Sequence, residues 1–251
     1  LWQATDLEAG VGAIYQAIGD LHVMAGRSGL AETYYLQATT NEPASPGGYL
    51  SLAEFHISSG RPQMARFYTS RAIAASPRSP EAYVTLGDIN YRVGDIASAE
   101  RNYQTASRLD ATSVEGYLKL AALYVEQQDY TRALQALEQA AVRDSLNGTV
   151  WLATADAYAG TGHYEEAMSA LDRAASLLPG NPDPMLYEGD LYLTQGNAEA
   201  AIAAYEAAMA AYPGEASPAV RLASLFEEQD DLGLAELYAR QAIDANERDS
   251  S

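Results

Sequence analysis

Small, apolar and polar positions return along this chain at an interval of 34 residues. The small residue at Gly19 is echoed by Ala53, Gly87, Ala121, Ala155, Gly189 and Ala223. An aromatic slot passes through Tyr15, Tyr49, Tyr83, Tyr117 and Trp151, then weakens to Met185 and Ala219. Alanine holds two further columns without exception: Ala31, Ala65, Ala99, Ala133, Ala167, Ala201 and Ala235, then Ala38, Ala72, Ala106, Ala140, Ala174, Ala208 and Ala242. Seven copies with no insertion or deletion make a repeat array.

Within a copy the spacing predicts two helices. Tyr15, Ile18, Gly19 and His22 stand at i, i+3, i+4 and i+7, one face of a first helix. Gly26, with Gly60, Gly94, Gly162 and Gly196 in register, marks a turn that needs a left-handed residue. Ala31, Tyr35 and Ala38 then form one face of a second helix, which Pro43, Pro77, Pro179 or Pro213 ends in four copies. Ser45-Pro46 and Ser79-Pro80 read as an N-cap followed by a first-turn proline. The small columns are expected where paired helices cross, Gly19 against Ala31, with Tyr35 filling the space beside them. The phase gives the tail of a preceding repeat at 1–11, then repeats at 12–45, 46–79, 80–113, 114–147, 148–181, 182–215 and 216–249, expected to run as one continuous solenoid.

The stretch YVTLGDINYRVGDIASAERNYQTAS at 83–107 resembles a tetratricopeptide repeat, with Asn90 where that family usually has tyrosine. Copy seven departs furthest, at Ala219, Ala239 and Glu247. The resemblance implies an all-α fold: a right-handed α-solenoid superhelix of seven helix-turn-helix repeats. It also implies first helices lining a concave groove, second helices outside, and a protein-protein interaction scaffold.

Composition narrows the chemistry. With 48% hydrophobic residues the chain can bury a core, and no apolar run is long enough to span a bilayer. There is no cysteine, so disulfides and thiolate metal sites are excluded. The net charge is −19, unevenly shared: residues 1–125 carry 12 acids and 9 bases, residues 126–251 carry 22 and 6. Such a C-terminal half repels nucleic acid. One lysine among fifteen basic residues, with abundant alanine, points to a GC-rich bacterial genome. The first ten residues have neither the basic start nor the apolar middle of a signal peptide, which leaves a cytoplasmic and an exported protein both open: either a leader was removed or the chain is a piece of a longer one.

The candidate binding residues are the acids that follow the small column: Asp20, Glu54, Asp88, Asp156 and Asp190, interrupted by Ala122 and Ser224. At about 100° per residue Asp20 falls roughly 150° from the packed face. It should therefore point away from its partner helix and, as the resemblance implies, into the groove, where such acids either form a hydrated helix face or favour a basic or polar peptide. Arg92, Lys119 and Arg221 are expected to stand far apart, which argues against a clamp for a peptide carboxylate. His22 and His56 share a column on the packed face, where an interhelical hydrogen bond is expected rather than a metal. Glu165-Glu166 and the acids of 227–231 read as solvated helix surface. Asn147 opens a formal glycosylation sequon in a turn. No nucleophile–base pair, phosphate loop, metal set or cofactor motif is present, so a non-enzymatic binder without a cofactor is expected. Residues 1–9 read as the end of an earlier second helix, and no polar capping helix follows repeat seven. End-to-end self-assembly is the alternative function those ends suggest.

Overall fold

The computed structural model describes residues 10–110 and 112–249; the expected repeat tail at 1–9 lies outside them. Fourteen helices and no strands occur among the described residues. They are α1 (Val11–Met24), α2 (Ser28–Asn41), α3 (Gly47–Ser58), α4 (Pro62–Ala75), α5 (Pro80–Arg92), α6 (Ile96–Leu109) and α7 (Glu115–Glu126). The series continues with α8 (Tyr130–Arg143), α9 (Gly148–Gly160), α10 (Tyr164–Leu177), α11 (Asp183–Thr194), α12 (Ala198–Ala211), α13 (Ser217–Glu228) and α14 (Leu232–Asp249). The second helices of the pairs, from α2 to α14, start 34 residues apart without a slip.

The chain forms two compact units, 1–123 and 124–251. In the first, each of α1 to α6 packs on the next, and the first helices also touch one another, α1 with α3 and α3 with α5. That second set of contacts makes the first helices a shared face. In the second unit, α8 to α14 pack in the same sequential order. Both alanine columns are buried where predicted, with Ala235 only partly so. A methyl group is the largest side chain that lets two helices approach to about 8–10 Å.

The turn between paired helices is closed the same way seven times. The backbone N–H of Arg27, Arg61, Asp95, Asp129, His163, Asn197 and Asp231 donates to the carbonyl five residues back, at 2.8–3.0 Å. This is the longer bond of a Schellman closure, and it requires the residue before the donor to be left-handed. The five predicted glycines have φ between 69° and 80°. The two remaining turns use Gln128 (φ 58°) and Asp230 (φ 62°), which the sequence reading passed over. The donor residue often has a second task. Asp95, Asp129, Asn197 and Asp231 each accept, through Oδ1, the backbone N–H three residues on, at 3.1 Å. One residue thus closes the first helix and caps the second. Asp231, read from sequence as solvated surface, is such a cap.

Gln128 sits in a conformation that a Cβ disfavours by about 1–2 kcal/mol. Gln128→Gly should therefore raise stability, by roughly 1 kcal/mol after the added freedom of the unfolded chain is subtracted. Chemical denaturation of both proteins checks this; an unchanged or lower midpoint would contradict it.

Second helices also end uniformly, two residues before each predicted proline. Where no proline follows, aspartate makes the turn: Asp110 Oδ1 accepts from Thr112 N at 2.8 Å, and Asp144 Oδ1 from Leu146 N at 3.0 Å. Neither device closes repeat seven, and α14 runs on to 18 residues where its counterparts have 14. At the next repeat's start Ser79 caps α5, its Oγ accepting from Ala82 N at 3.3 Å. Ser45 makes only a 3.4 Å contact with Gly47 N, and α3 has no side-chain cap of the expected kind.

Candidate binding face

The recurrent Gly-Asp pair is a lock between the two helices of a repeat. A Cβ built on Gly19 would lie 2.3 Å from the Tyr35 ring, one on Gly87 2.4 Å from Tyr103, and one on Gly189 2.2 Å from Tyr205. The glycine is there because the ring occupies that space. The phenol then donates to the adjacent acid: Tyr35 to Asp20 at 2.7 Å, Tyr103 to Asp88 at 2.7 Å and Tyr205 to Asp190 at 2.6 Å. This corrects the expectation that the acid column points away from its partner helix. Three of its five members are held by that helix. Helix angle alone misjudged them because the acceptor sits at the edge of the packed face and tyrosine is long enough to reach it.

A covariation within the chain carried this signal. Tyrosine stands sixteen residues after each of Gly19, Gly87 and Gly189. Where the small residue is alanine, the partner is Thr69, Leu137, Leu171 or Ala239 instead. Glu54 and Asp156 are the two acids that belong to such alanine repeats, and neither has a tyrosine to accept from.

Two of the three cations are seated on acids of the column. Lys119 Nζ is 3.0 Å from Asp88 Oδ2, and Arg221 pairs with Asp190, each base standing 31 residues after its acid. Both pairs are about two-fifths to one-third exposed, so each contributes roughly 0–1 kcal/mol. Arg92 is exposed at the end of α5. Partial burial raises the Glu54 carboxyl above its ordinary pKa, with the charges of Asp20, Asp88 and Glu115 adding and Lys119 opposing. In the second unit burial raises Asp156.

The histidine column is packed as expected but lacks the expected hydrogen bond. His56 is 1% exposed and neither ring nitrogen has a hydrogen-bond partner. It stacks on Tyr68 at 5.1 Å, with Glu32 3.6 Å from Nε2 and Arg61 at the other side of that carboxylate. His22 stacks on Tyr34 at 5.2 Å. Among the described residues no three His, Asp or Glu side chains converge as a metal site. Asn147 serves as N-cap of α9, its Oδ1 accepting from Thr149 N at 3.1 Å.

Burial, with a smaller push from Arg61, holds the His56 pKa below its ordinary 6.5. The unfolded chain therefore takes the proton first. Stability is full above about pH 6.5 and declines as pH falls through that value toward the depressed one. Urea midpoints should drop between about pH 7.5 and 5.5 in the parent protein. They should drop less in His56→Phe, which keeps the stack on Tyr68 and removes the titration. Parallel pH profiles would show that His56 is not the source.

Two family models, both described as tetratricopeptide repeat, match residues 118–182 and 158–225. The chain contains tetratricopeptide repeats across 118–225. Solved structures share the fold over longer spans. A tetratricopeptide repeat protein of Parabacteroides merdae is 19% identical with a TM-score of 0.68, covering 94% of this chain and 93% of that one. PilF of Pseudomonas aeruginosa is 18% identical with a TM-score of 0.63, over 83% and 95%. A thermophilic tetratricopeptide repeat protein of Thermus thermophilus is 24% identical with a TM-score of 0.61, over 72% and 99%. At these identities the likeness is one of fold. No curated protein matches the chain in sequence. Tetratricopeptide repeats generally mediate protein-protein interaction, and no helix among the described residues is long and apolar enough to cross a membrane.

Proposed function

We propose that this tetratricopeptide repeat protein is a non-enzymatic scaffold whose acidic first-helix face binds a protein or peptide rich in basic or polar residues. The observation that carries the reading is that the charges of Asp20 on α1 and Asp88 on α5 both reach Glu54 on α3. Carboxylates whose charges meet at one of their number form one negative surface, and a cationic segment laid along it relieves that repulsion. Lys119 and Arg221, already seated on acids of the column, mark how such a cation is received. A peptide array with matched cationic, neutral and anionic members tests the reading. Binding should favour the cationic set, weaken with salt, and fall in a Glu54→Gln/Asp156→Asn variant. Equal binding to all three sets would defeat it.

End-to-end self-association is supported by a separate observation: Leu232, Leu237 and Ile243 of α14 are 66%, 47% and 58% exposed. Apolar side chains grouped on one helix favour a covering partner, and a second copy could supply it. Light scattering that reports a monomer at every concentration would remove this reading.

A further inference from the structure

Comparison of the acid column with itself singles out one position. Asp88 and Asp190 each receive a tyrosine hydroxyl from their own repeat and a cation from the next. At Asp156 both are missing. The residue in the tyrosine's place is Leu171, and the residue in the cation's place is Tyr187. Asp156 has no hydrogen-bond or ion-pair partner, and no neighbouring base lowers its pKa.

A cavity of about 160 Å³ opens beside it, inside the second unit. Its walls are apolar and small: Ala155, Ala159, Ala167, Leu171 and Leu191. Ala155, Ala167, Leu171 and Leu191 also belong to one core cluster, so these walls are held by packing. Asp156, Tyr187, Asp190 and Thr194 supply the polar and aromatic rim. Over Gly87 and Gly189 the corresponding space is filled by the rings of Tyr103 and Tyr205. Over Ala155 the shorter leucine leaves it open. Asp190 is already engaged by Tyr205 and Arg221, which leaves Asp156 as the open carboxylate of the cavity.

We propose that this cavity receives the side chain of a lysine or arginine from a bound polypeptide, with the aliphatic stem against the alanines and leucines and the charged end on Asp156. The proposal rests on the reading of this face as a polypeptide-binding surface and deepens it by naming a specificity position. An apolar-walled slot with one unpaired acid at its exposed rim suits a side chain whose apolar length lies along the walls while its cationic tip stays at the rim. Tyr187, two-fifths exposed at the rim, adds a ring face that a cation can approach. Burial already holds the Asp156 carboxyl above the ordinary range, and an incoming cation would lower it again.

The experiment uses the full chain, labelled with ¹⁵N, and three short peptides alike except at one position: arginine, lysine or neutral citrulline. The arginine and lysine peptides should give saturable shifts centred on the amides of Ala159, Leu191 and Thr194, and citrulline should not. Tyr187→Arg copies the Arg221 arrangement by placing an internal cation on Asp156. It should weaken binding about tenfold or more, the scale of one charged hydrogen bond. Ala155→Gly/Leu171→Tyr copies the Gly189 and Tyr205 arrangement and should abolish the shifts by filling the cavity. Tyr187 lies at the surface, so its variant keeps the test valid if the double variant fails to fold. Cationic peptides that bind both variants as they bind the parent would overturn the cavity proposal while leaving the broader acidic-face reading standing. If no cationic peptide produces shifts anywhere, both fall.

Discussion

Tyr205→Ala is expected to destabilise the second unit by about 3–5 kcal/mol, the cost of deleting a buried aromatic ring. Tyr205 is fully buried, and its cluster includes Leu186, Ala201, Leu222, Leu225 and Phe226. Truncation opens a cavity against Gly189, which has no side chain to fill it. Asp190 loses its phenol but keeps Arg221, so the electrostatic part of the loss is small beside the packing part. In a repeat array a defect is felt by the neighbours that stack on it. Urea unfolding followed by circular dichroism should show the loss, and Tyr205→Phe separates its causes. Removing only the hydroxyl should cost about 0.5–1.5 kcal/mol. A Phe variant as damaged as the Ala variant would mean that the hydrogen bond, not the ring, holds the pair.

Gly87→Ala is the second large effect, and its direction is counter to helix propensity. Inside a helix, alanine is favoured over glycine by about 1 kcal/mol. Here the new methyl would lie 2.4 Å from Cε1 of Tyr103 and 2.6 Å from Cδ1, ring atoms that are themselves buried. Overpacking of that kind costs roughly 1–3 kcal/mol, so the clash exceeds the gain and the variant should be less stable. The chain contains the remedy: Ala155 is paired with Leu171, and Ala121 stands sixteen residues before Leu137. Tyr103→Leu added to Gly87→Ala should therefore recover part of the loss. The double-mutant cycle should return a favourable coupling of about 0.5–3 kcal/mol. Additive losses would show that glycine and tyrosine are not chosen for each other.

Much of the fold could be read from period alone. The helix pairs, the five glycine turns, the proline stops and both alanine columns follow from spacing, because each records a local steric demand that repeats every 34 residues. What period could not supply is the exceptions. Gln128 and Asp230 take the left-handed role without being glycine, since the closing bond from Asp129 or Asp231 holds the turn whatever its side chain. The binding face was less legible. Asp20, Asp88 and Asp190 stand in one column of the sequence but were turned away from their partner helix toward the groove, because a helix wheel gives direction and not reach. Glu54 and Asp156 differ from them through a residue fifteen positions away on another helix, Thr69 or Leu171 where the others have tyrosine, and Asp156 also has Tyr187 where Asp88 and Asp190 meet a cation. His56 was rightly placed on the packed face, yet its ring stacks on Tyr68 and neither nitrogen makes a hydrogen bond.

The tyrosine–carboxylate locks also give the molecule an optical handle. Burial first, and then the adjacent carboxylate, push the ionisation of Tyr35 and of Tyr205 far above that of a free phenol. Tyr35 lies in the first compact unit and Tyr205 in the second. In alkaline solution the exposed phenols turn into phenolates and change their ultraviolet absorption, while these two stay protonated for as long as their repeats stay closed. Late-appearing phenolate absorbance therefore counts opened repeats, with no label attached, and Tyr35→Phe or Tyr205→Phe tells which unit supplied it.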